Sequence, residues 1–560
     1  MKTKSLLSTI LIVLCVSSFA FAQKSNTSKA SKPDKYTIAF DSLFEAEVKP
    51  DGPGMAILIA KNGKAIYRRA IGKANLEHDI NLKPDHVFRI GSITKQFTAV
   101  SIMQLIEQGK LSADDEITKF IPDYPTHGNR ITISHLVHHT SGIQSYTNMA
   151  GWDAETQRKD FTVSALVDYF KKEPMNFLPG EQWFYNNSGY ILLGYIIEKV
   201  SGMTYEEYLQ KNIFDPLGMK HSYYDNTEQI IPGRVQGYAM RDKGVINAPY
   251  LSMTQPYAAG SMLSTVDDML LWNNALMSGK VISKAYLEKA LIPAILNNGK
   301  NTGYAYGLMI GDLDGSKTVE HSGGIHGFLS NGIYFPEEDV YVIAFSNSEG
   351  LPPSSLTIQL GAVAIDKPFE YAEIKVDPKL FSQYTGLFTN EVAEKRRIFV
   401  RNDSLFSQRG RGAEFHLKFM DTDKVYFTGS SSKITFNRNE QGVVDNLSFK
   451  TGTSKEEVWT RIEDVVEEKK EYKIQPEELP QYIGKYELQE SFAIRVYVEN
   501  NTLIAQATAQ PAIELVPLAK DKFYPREVDA EIEFVRDADK KIIRLVLHQG
   551  GRQMPMNKKD

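Results

Sequence analysis

The chain has 560 residues, of which 42% are hydrophobic, 11% aromatic and 24% charged; this is enough apolar surface for two or three packed domains and excludes disorder as the main state. A net charge of −5 leaves no basic excess for neutralising phosphates, so nucleic acid is excluded as the main ligand and a small-molecule or peptide substrate is expected. The one cysteine, Cys15, excludes a disulfide scaffold, a zinc ribbon and cysteine-nucleophile chemistry.

In chain order, the first segment reads as a secretory signal peptide. Lys2 and Lys4 precede an apolar run over residues 6–16, and Ala20-Phe21-Ala22 supplies a small-x-small cleavage site. The run is shorter than the ~20 residues that a spanning helix needs, and Leu14 is bulky where a lipoprotein site before Cys15 wants a small residue. Residues 1–22 are therefore expected to be removed near Ala22, giving a periplasmic or secreted protein with no stable membrane span. Residues 23–35 read as a flexible leader.

Residues 36–364 mix patterns. The stretches 55–60 and 65–69 predict a hairpin turned at Lys61-Asn62-Gly63-Lys64. Helical periodicity follows over 94–108, stopped by Gly109, and over 190–200, stopped before Gly202. Strand character returns at 332–335 and 340–346. The order of strands, helices and strands predicts an α+β domain: an antiparallel sheet whose edges come from the two ends, with a helical subdomain between.

The remainder repeats itself. Tyr384-Thr385-Gly386 is matched by Tyr482-Ile483-Gly484, Leu405 by Leu503, Asp423-Lys424 by Asp521-Lys522, Phe436 by Phe534 and Leu447 by Leu545, always 98 residues apart. Residues 377–463 and 477–557 are read as two copies of one unit. Short alternating runs broken by Asn, Asp and Gly turns, with no helical stretch, predict two small antiparallel β-barrels. Glu467, Lys469, Lys470 and Glu471 read as a solvated linker. The barrels are either a ligand-binding calyx or lid for the active site, or plain docking modules.

Three elements carry chemistry. Gly91-Ser92-Ile93-Thr94-Lys95 opens the first long helix, and a Ser and a Lys three apart share a helix face, so the amine can reach and activate the hydroxyl. Tyr185 and Asn187, after the Pro179-Gly180 turn, are expected to point from an extended segment into one cleft. A tyrosine beside that lysine is expected to have a lowered pKa and to serve as general base. His321-Ser322-Gly323-Gly324 precedes the last strands; small residues there let a substrate backbone lie alongside, and the N–H of Gly324 would join that of Ser92 as an oxyanion hole.

Each element has a competitor. Ser430-x-x-Lys433 reads as turn residues in the first repeat, Tyr146-x-Asn148 lacks the Pro-Gly turn and following helix, and Lys450-Thr451-Gly452 maps onto His548-Gln549-Gly550 as a hairpin turn. His135, His138, His139 and His326 have no Glu or Asp at metal-protease spacing, so neither metal nor cofactor is expected.

In order, Ser92-x-x-Lys95, Tyr185-x-Asn187 and His321-Ser322-Gly323 resemble the signature motifs of the serine β-lactamase and penicillin-binding-protein superfamily, in its class C-like branch. His139-Thr140-Ser141-Gly142, Pro216-Leu217-Gly218-Met219 and residues 260–268 resemble the same branch. The layout, with two barrels following, is similar to that of D-stereospecific aminopeptidases. The resemblance implies a β-lactamase-like catalytic domain over 36–364, Ser92 as acylated nucleophile, Lys95 and Tyr185 as the proton-transfer pair, and Asn187 as a ligand for the substrate amide. His321 would stand where a lysine usually holds a carboxylate, with Ser322 and Gly323 beside the substrate. As a histidine titrating near 6.5, it would bind an anion less firmly as pH rises.

The resulting expectation is an exported serine hydrolase acting on amides or esters, including D-amino-acid peptides. The alternatives are a β-lactamase or DD-carboxypeptidase, and a ligand or β-lactam sensor that does not turn over.

Overall fold

The computed structural model describes residues 35–559, apart from 150, 242–243, 411, 429, 463–471, 490–491, 509–511, 526–527, 529 and 550–551. The expected signal peptide, the leader before residue 35 and the linker around Glu467 to Glu471 lie outside the described residues.

Helix α1 (Lys35–Glu47) leads into strands β1 (Met55–Lys61) and β2 (Lys64–Ile71), which turn at Asn62 and Gly63. Both turn residues have positive φ, 53° and 69°, as a two-residue hairpin matched to strand twist requires. After the helical part come β3 (Met309–Leu313), β4 (Ser316–Ile325), β5 (Phe328–Phe335) and β6 (Val340–Ser346). They form a six-stranded antiparallel sheet in the order β3-β4-β5-β6-β1-β2. The N-terminal hairpin supplies one edge and β3 the other.

β1 is buried on both faces, so its alternation separates two cores. Ala56, Leu58 and Ala60 face the helical side, and Met55, Ile57 and Ile59 pack toward α1 and the closing helix α4 (Ser354–Ala364). On the helical side, α2 (Thr94–Glu107) is buried over nearly its whole length, and α3 (Asn187–Ser201) packs against it. A helix surrounded in this way has little amphipathic character, and besides its apolar residues it buries Lys95, Gln96, Thr98 and Ser101.

Beyond α4, residues 386–462 and 484–559 each form a closed barrel of eight antiparallel strands in sequential order. Closure joins Leu387 to Ile462 in the first and Lys485 to Lys559 in the second. Matching networks sit at matching positions: Arg438 pairs with Asp423 and donates to Gln383 at 2.9 Å, and Arg536 pairs with Asp521 and donates to Gln481 at 2.8 Å.

The interiors differ at one end. In the first barrel Arg396, Ser407 and Trp459 are buried, whereas Ile494, Ala505 and Met556 fill the corresponding places of the second. Both barrels are filled by side chains, so neither interior is the open calyx that a carrier would present.

The first barrel is fastened to the sheet. Lys433 and Lys450 pair with Asp314 and Asp312 in the β3–β4 hairpin, and Thr453 donates to Glu320 on β4. Among the described residues no helix is long and apolar enough to cross a membrane.

Candidate active site

Ser92 sits in a single 3-10 turn, Gly91–Ile93, that runs directly into α2. The turn lies against the part of β4 that extends past β3, whose pairing ends at Glu320. This approach explains two glycines. Gly91 has φ +50°, and a Cβ there would stand 2.9 Å from Gly324 N; a Cβ on Gly323 would collide with Ile90 O.

Lys95, the second residue of α2 and one turn after Ser92, is fully buried. Its Nζ lies 3.0 Å from Ser92 Oγ, 2.9 Å from Asn187 Oδ1 and 2.8 Å from Ala259 O. Burial pushes its pKa well below the ordinary lysine value. A neutral amine has two N–H bonds and one lone pair. The two pure acceptors, Asn187 Oδ1 and Ala259 O, take the hydrogens and leave the lone pair facing the serine hydroxyl. The arrangement can therefore accept a proton from Ser92.

Tyr185 stands in the loop before α3, its ring centroid 4.7 Å from Lys95 Nζ. The expected lowering of its pKa is reversed. Burial pushes the phenol up and outweighs the neighbouring Ser92 side chain, which acts in the opposite direction, and the buried Oη makes no hydrogen bond of ordinary geometry. The lowered pKa of the lysine also weakens the ammonium that a phenolate would need beside it.

Asn187 is the first residue of α3 and not part of an extended segment, because Asn186 caps the helix by accepting from Gly189 N at 2.9 Å. Asn187 Nδ2 donates to Thr147 Oγ1 at 3.1 Å, and its backbone N–H to Ser145 Oγ at 3.1 Å. With its Oδ1 on Lys95, one amide N–H remains for a substrate.

His321 departs furthest from expectation. It is 4% exposed, its Nδ1 donates to Ser322 O at 2.5 Å, and its Nε2 accepts from Tyr304 Oη at 3.0 Å. Burial, with the nearby Lys95 second, pulls its pKa down to about 3. It is neutral throughout the physiological range, so the expected loss of anion binding near pH 6.5 does not arise. Ser322 is exposed, Gly323 packs beneath Ile90, and Gly324 reaches the cleft.

The cleft beside Ser92 has a volume of about 280 Å3. Asn187 and Gly324 line it together with Tyr146, Thr147, Trp152, Leu251, Pro256, Ile325 and His326. No Lys, Arg, Asp or Glu is among its lining residues. The competing Tyr146-Thr147-Asn148 segment thus contributes walls. The other two competitors lie at the junction with the first barrel, where Lys433 and Lys450 meet Asp314 and Asp312.

Sequence reasoning missed Ala259, whose carbonyl holds Lys95, and Ser145, which holds Asn187. It also missed the aromatic box of Tyr190, Tyr304 and His139 around Tyr185; His139 accepts from Asn186 N at 3.1 Å, with its ring 4.4 Å from that of Tyr185. His139-Thr140-Ser141-Gly142 was a usable signal for the last of these. Among the described residues no three His, Cys, Asp or Glu side chains are grouped to hold a metal ion.

A buried lysine aimed at a serine on a helix start, under an antiparallel sheet edge, defines a serine hydrolase of the β-lactamase fold. The family profile described as Beta-lactamase matches residues 40–363, and the chain belongs to that family. A second profile, Domain of unknown function (DUF3471), matches residues 468–559. Among relatives, penicillin-binding protein 4* of Bacillus subtilis is 27% identical over 447 residues, spanning 75% of this chain and 98% of its own. The D-aminopeptidase of Gluconobacter oxydans is 26% identical over 59% of this chain and 63% of its own. Among solved structures, the D-amino acid amidase from Ochrobactrum anthropi SV3, complexed with L-phenylalanine amide, is 26% identical with a TM-score of 0.53, covering 60% of this chain and 99% of that one.

Proposed function

We propose that the protein is an exported hydrolase that cleaves an amide or ester through an acyl-enzyme on Ser92. The observation that carries this reading is the placement of Lys95 Nζ between Ser92 Oγ and two acceptors. In the first step Ser92 Oγ attacks the substrate carbonyl carbon while its proton passes to the Lys95 amine. Tyr185, kept as a phenol by burial, hands a proton to the leaving amine or alcohol and is restored from the lysine. Water then cleaves the ester on Ser92 by the reverse path. The N–H groups of Ser92 and Gly324 would hold the oxyanion.

The substrate class follows from the cleft. With no Lys, Arg, Asp or Glu on its walls among the described residues, neither a free carboxylate nor a free ammonium next to the scissile bond would find a partner there. This favours esters and blocked amides with an apolar acyl group, and it weighs against a DD-carboxypeptidase or β-lactamase that grips a carboxylate. The amidase and D-aminopeptidase relatives support amide chemistry and leave D-amino-acid derivatives in the substrate set. Export rests on the basic start, apolar run and cleavage site of residues 1–22. The two barrels are proposed as copies of one unit, supported by the equivalent Gln383–Arg438–Asp423 and Gln481–Arg536–Asp521 networks.

The test is a substrate panel of p-nitrophenyl acyl esters, D- and L-aminoacyl amides with free and acetylated amino groups, D-Ala-D-Ala peptides and a chromogenic cephalosporin. Turnover of esters or blocked amides that disappears in Ser92→Ala supports the reading. Preferential turnover of carboxylate-bearing peptides or cephalosporin would replace it.

A further inference from the structure

The junction between the sheet and the first barrel forms a half-open cavity of about 840 Å3, separate from the Ser92 cleft in its lining residues. One wall is β3 and Glu320 of β4. The facing wall is the barrel segment 450–456 with Ser430 and Ser431.

Comparison of the two barrels shows that this wall is specific to the first. Strand pairing in the first barrel stops at Phe449 and Glu457, leaving the tip of that hairpin open, whereas the corresponding hairpin of the second barrel stays paired out to Gln549 and Arg552. Directly opposite each other on the first barrel are two lysines, Lys433 and Lys450, which repel unless answered from outside; Asp314 and Asp312 answer them. The same positions of the second barrel hold Glu531 opposite His548. An open hairpin and a like-charge pair are not needed to close this barrel fold. In the first barrel they build a docked wall with space behind it.

One group in that space lacks a counterpart. The Glu320 carboxylate accepts from Thr453 and has no Lys, Arg or His partner among the described residues. Lys450 is taken up by Asp312, and Lys455 reaches Asn301 O. A half-buried carboxylate without a cation is poorly compensated, and partial desolvation raises its pKa.

We propose that this junction cavity is a second ligand site, taking an organic amine whose protonated nitrogen pairs with Glu320 and whose remainder lies between β3 and the open hairpin. The hydroxyls of Ser431, Thr451 and Ser355 and the apolar Ile358 and Phe369 suit a ligand with mixed polar and apolar parts. Because Glu320 and His321 are neighbours on β4, occupancy would be felt on the strand that carries Gly324.

The site is independent of the hydrolase reading and is tested on the full chain carrying Ser92→Ala. Phenethylamine is titrated by calorimetry, with 2-phenylethanol as the uncharged counterpart. Saturable binding of the amine, at least tenfold weaker binding of the alcohol and at least tenfold loss with Glu320→Gln are expected. Ser355→Trp, at an exposed position on the cavity wall, narrows the space and is expected to weaken binding at least tenfold even if Glu320→Gln disturbs folding. Binding unchanged by both substitutions, equal binding of the alcohol, or no binding of the amine would overturn the proposal.

Discussion

Lys95 Nζ and Ser92 Oγ lie 3.0 Å apart, one turn along the start of α2, with the lysine fully buried and its other contacts both acceptors. In the proposed reaction burial is the activating device: it lowers the lysine pKa and so favours the neutral, basic amine over the ammonium. Replacing Lys95 by Met keeps the volume and removes the lone pair. The expected result is a fall in kcat of about 1,000-fold or more on an ester substrate, checked by steady-state kinetics.

Tyr185 separates catalysis from stability. Its buried Oη makes no hydrogen bond of ordinary geometry, so Tyr185→Phe removes an unsatisfied polar atom and leaves the packing against His139 and Tyr304 intact. Thermal unfolding is expected to be unchanged or slightly raised, while kcat falls by about 100-fold or more through the lost proton donor. A stability loss with unchanged kcat would assign Tyr185 to packing alone.

Three histidines make the fold acid-sensitive. Burial holds His321 at about 3, His138 at about 4 and His139 well below its usual value. Below about 6.5 the unfolded chain takes up these protons and the folded protein does not. Their contribution is complete above that pH and is lost as pH falls toward the folded pKa values, at about 1.4 kcal/mol per pH unit for each histidine. Denaturant melts at pH 7 and pH 5 check this, with His321→Asn flattening the dependence. The same neutrality predicts that kcat/KM shows no ionisation of His321 near pH 6.5.

Arg396 in the first barrel is 4% exposed, donates to Ser407 Oγ at 2.9 Å, stacks on Phe449 and Trp459, and leaves Nε without a partner. Burial lowers its pKa to about 10. The second barrel closes with Ile494 at this place. Arg396→Ile is expected to be neutral or to stabilise by about 1–4 kcal/mol, read from chemical denaturation, since a buried charge without an ion partner rarely repays its desolvation.

Much of this was legible in the sequence because it was local. The Asn62-Gly63 turn, the Ser92–Lys95 spacing and the apolar runs of β1, β5 and β6 are signals within a few residues, as are the short alternating runs that form the two barrels. What was not legible depends on distant partners. The extended reading of Asn187 failed because Asn186 caps α3 in an apolar stretch whose first turn is polar. The lowered pKa expected of Tyr185 and the ordinary one expected of His321 failed because neighbours in sequence do not reveal burial, and burial is the larger influence at both. Strand β4 was read only around its glycines, since Glu320 and His321 point to opposite faces and neither face is apolar.

In the proposed reaction Ser92 carries the acyl group. The direct measurement is intact-mass and peptide-mapping mass spectrometry after a fluorophosphonate serine probe, on wild-type protein and Ser92→Ala, alongside ester hydrolysis. One adduct is expected, mapped to the peptide containing Ser92, with adduct and hydrolysis both lost in the variant. A stoichiometric adduct on another residue, or full hydrolysis by Ser92→Ala, would contradict it.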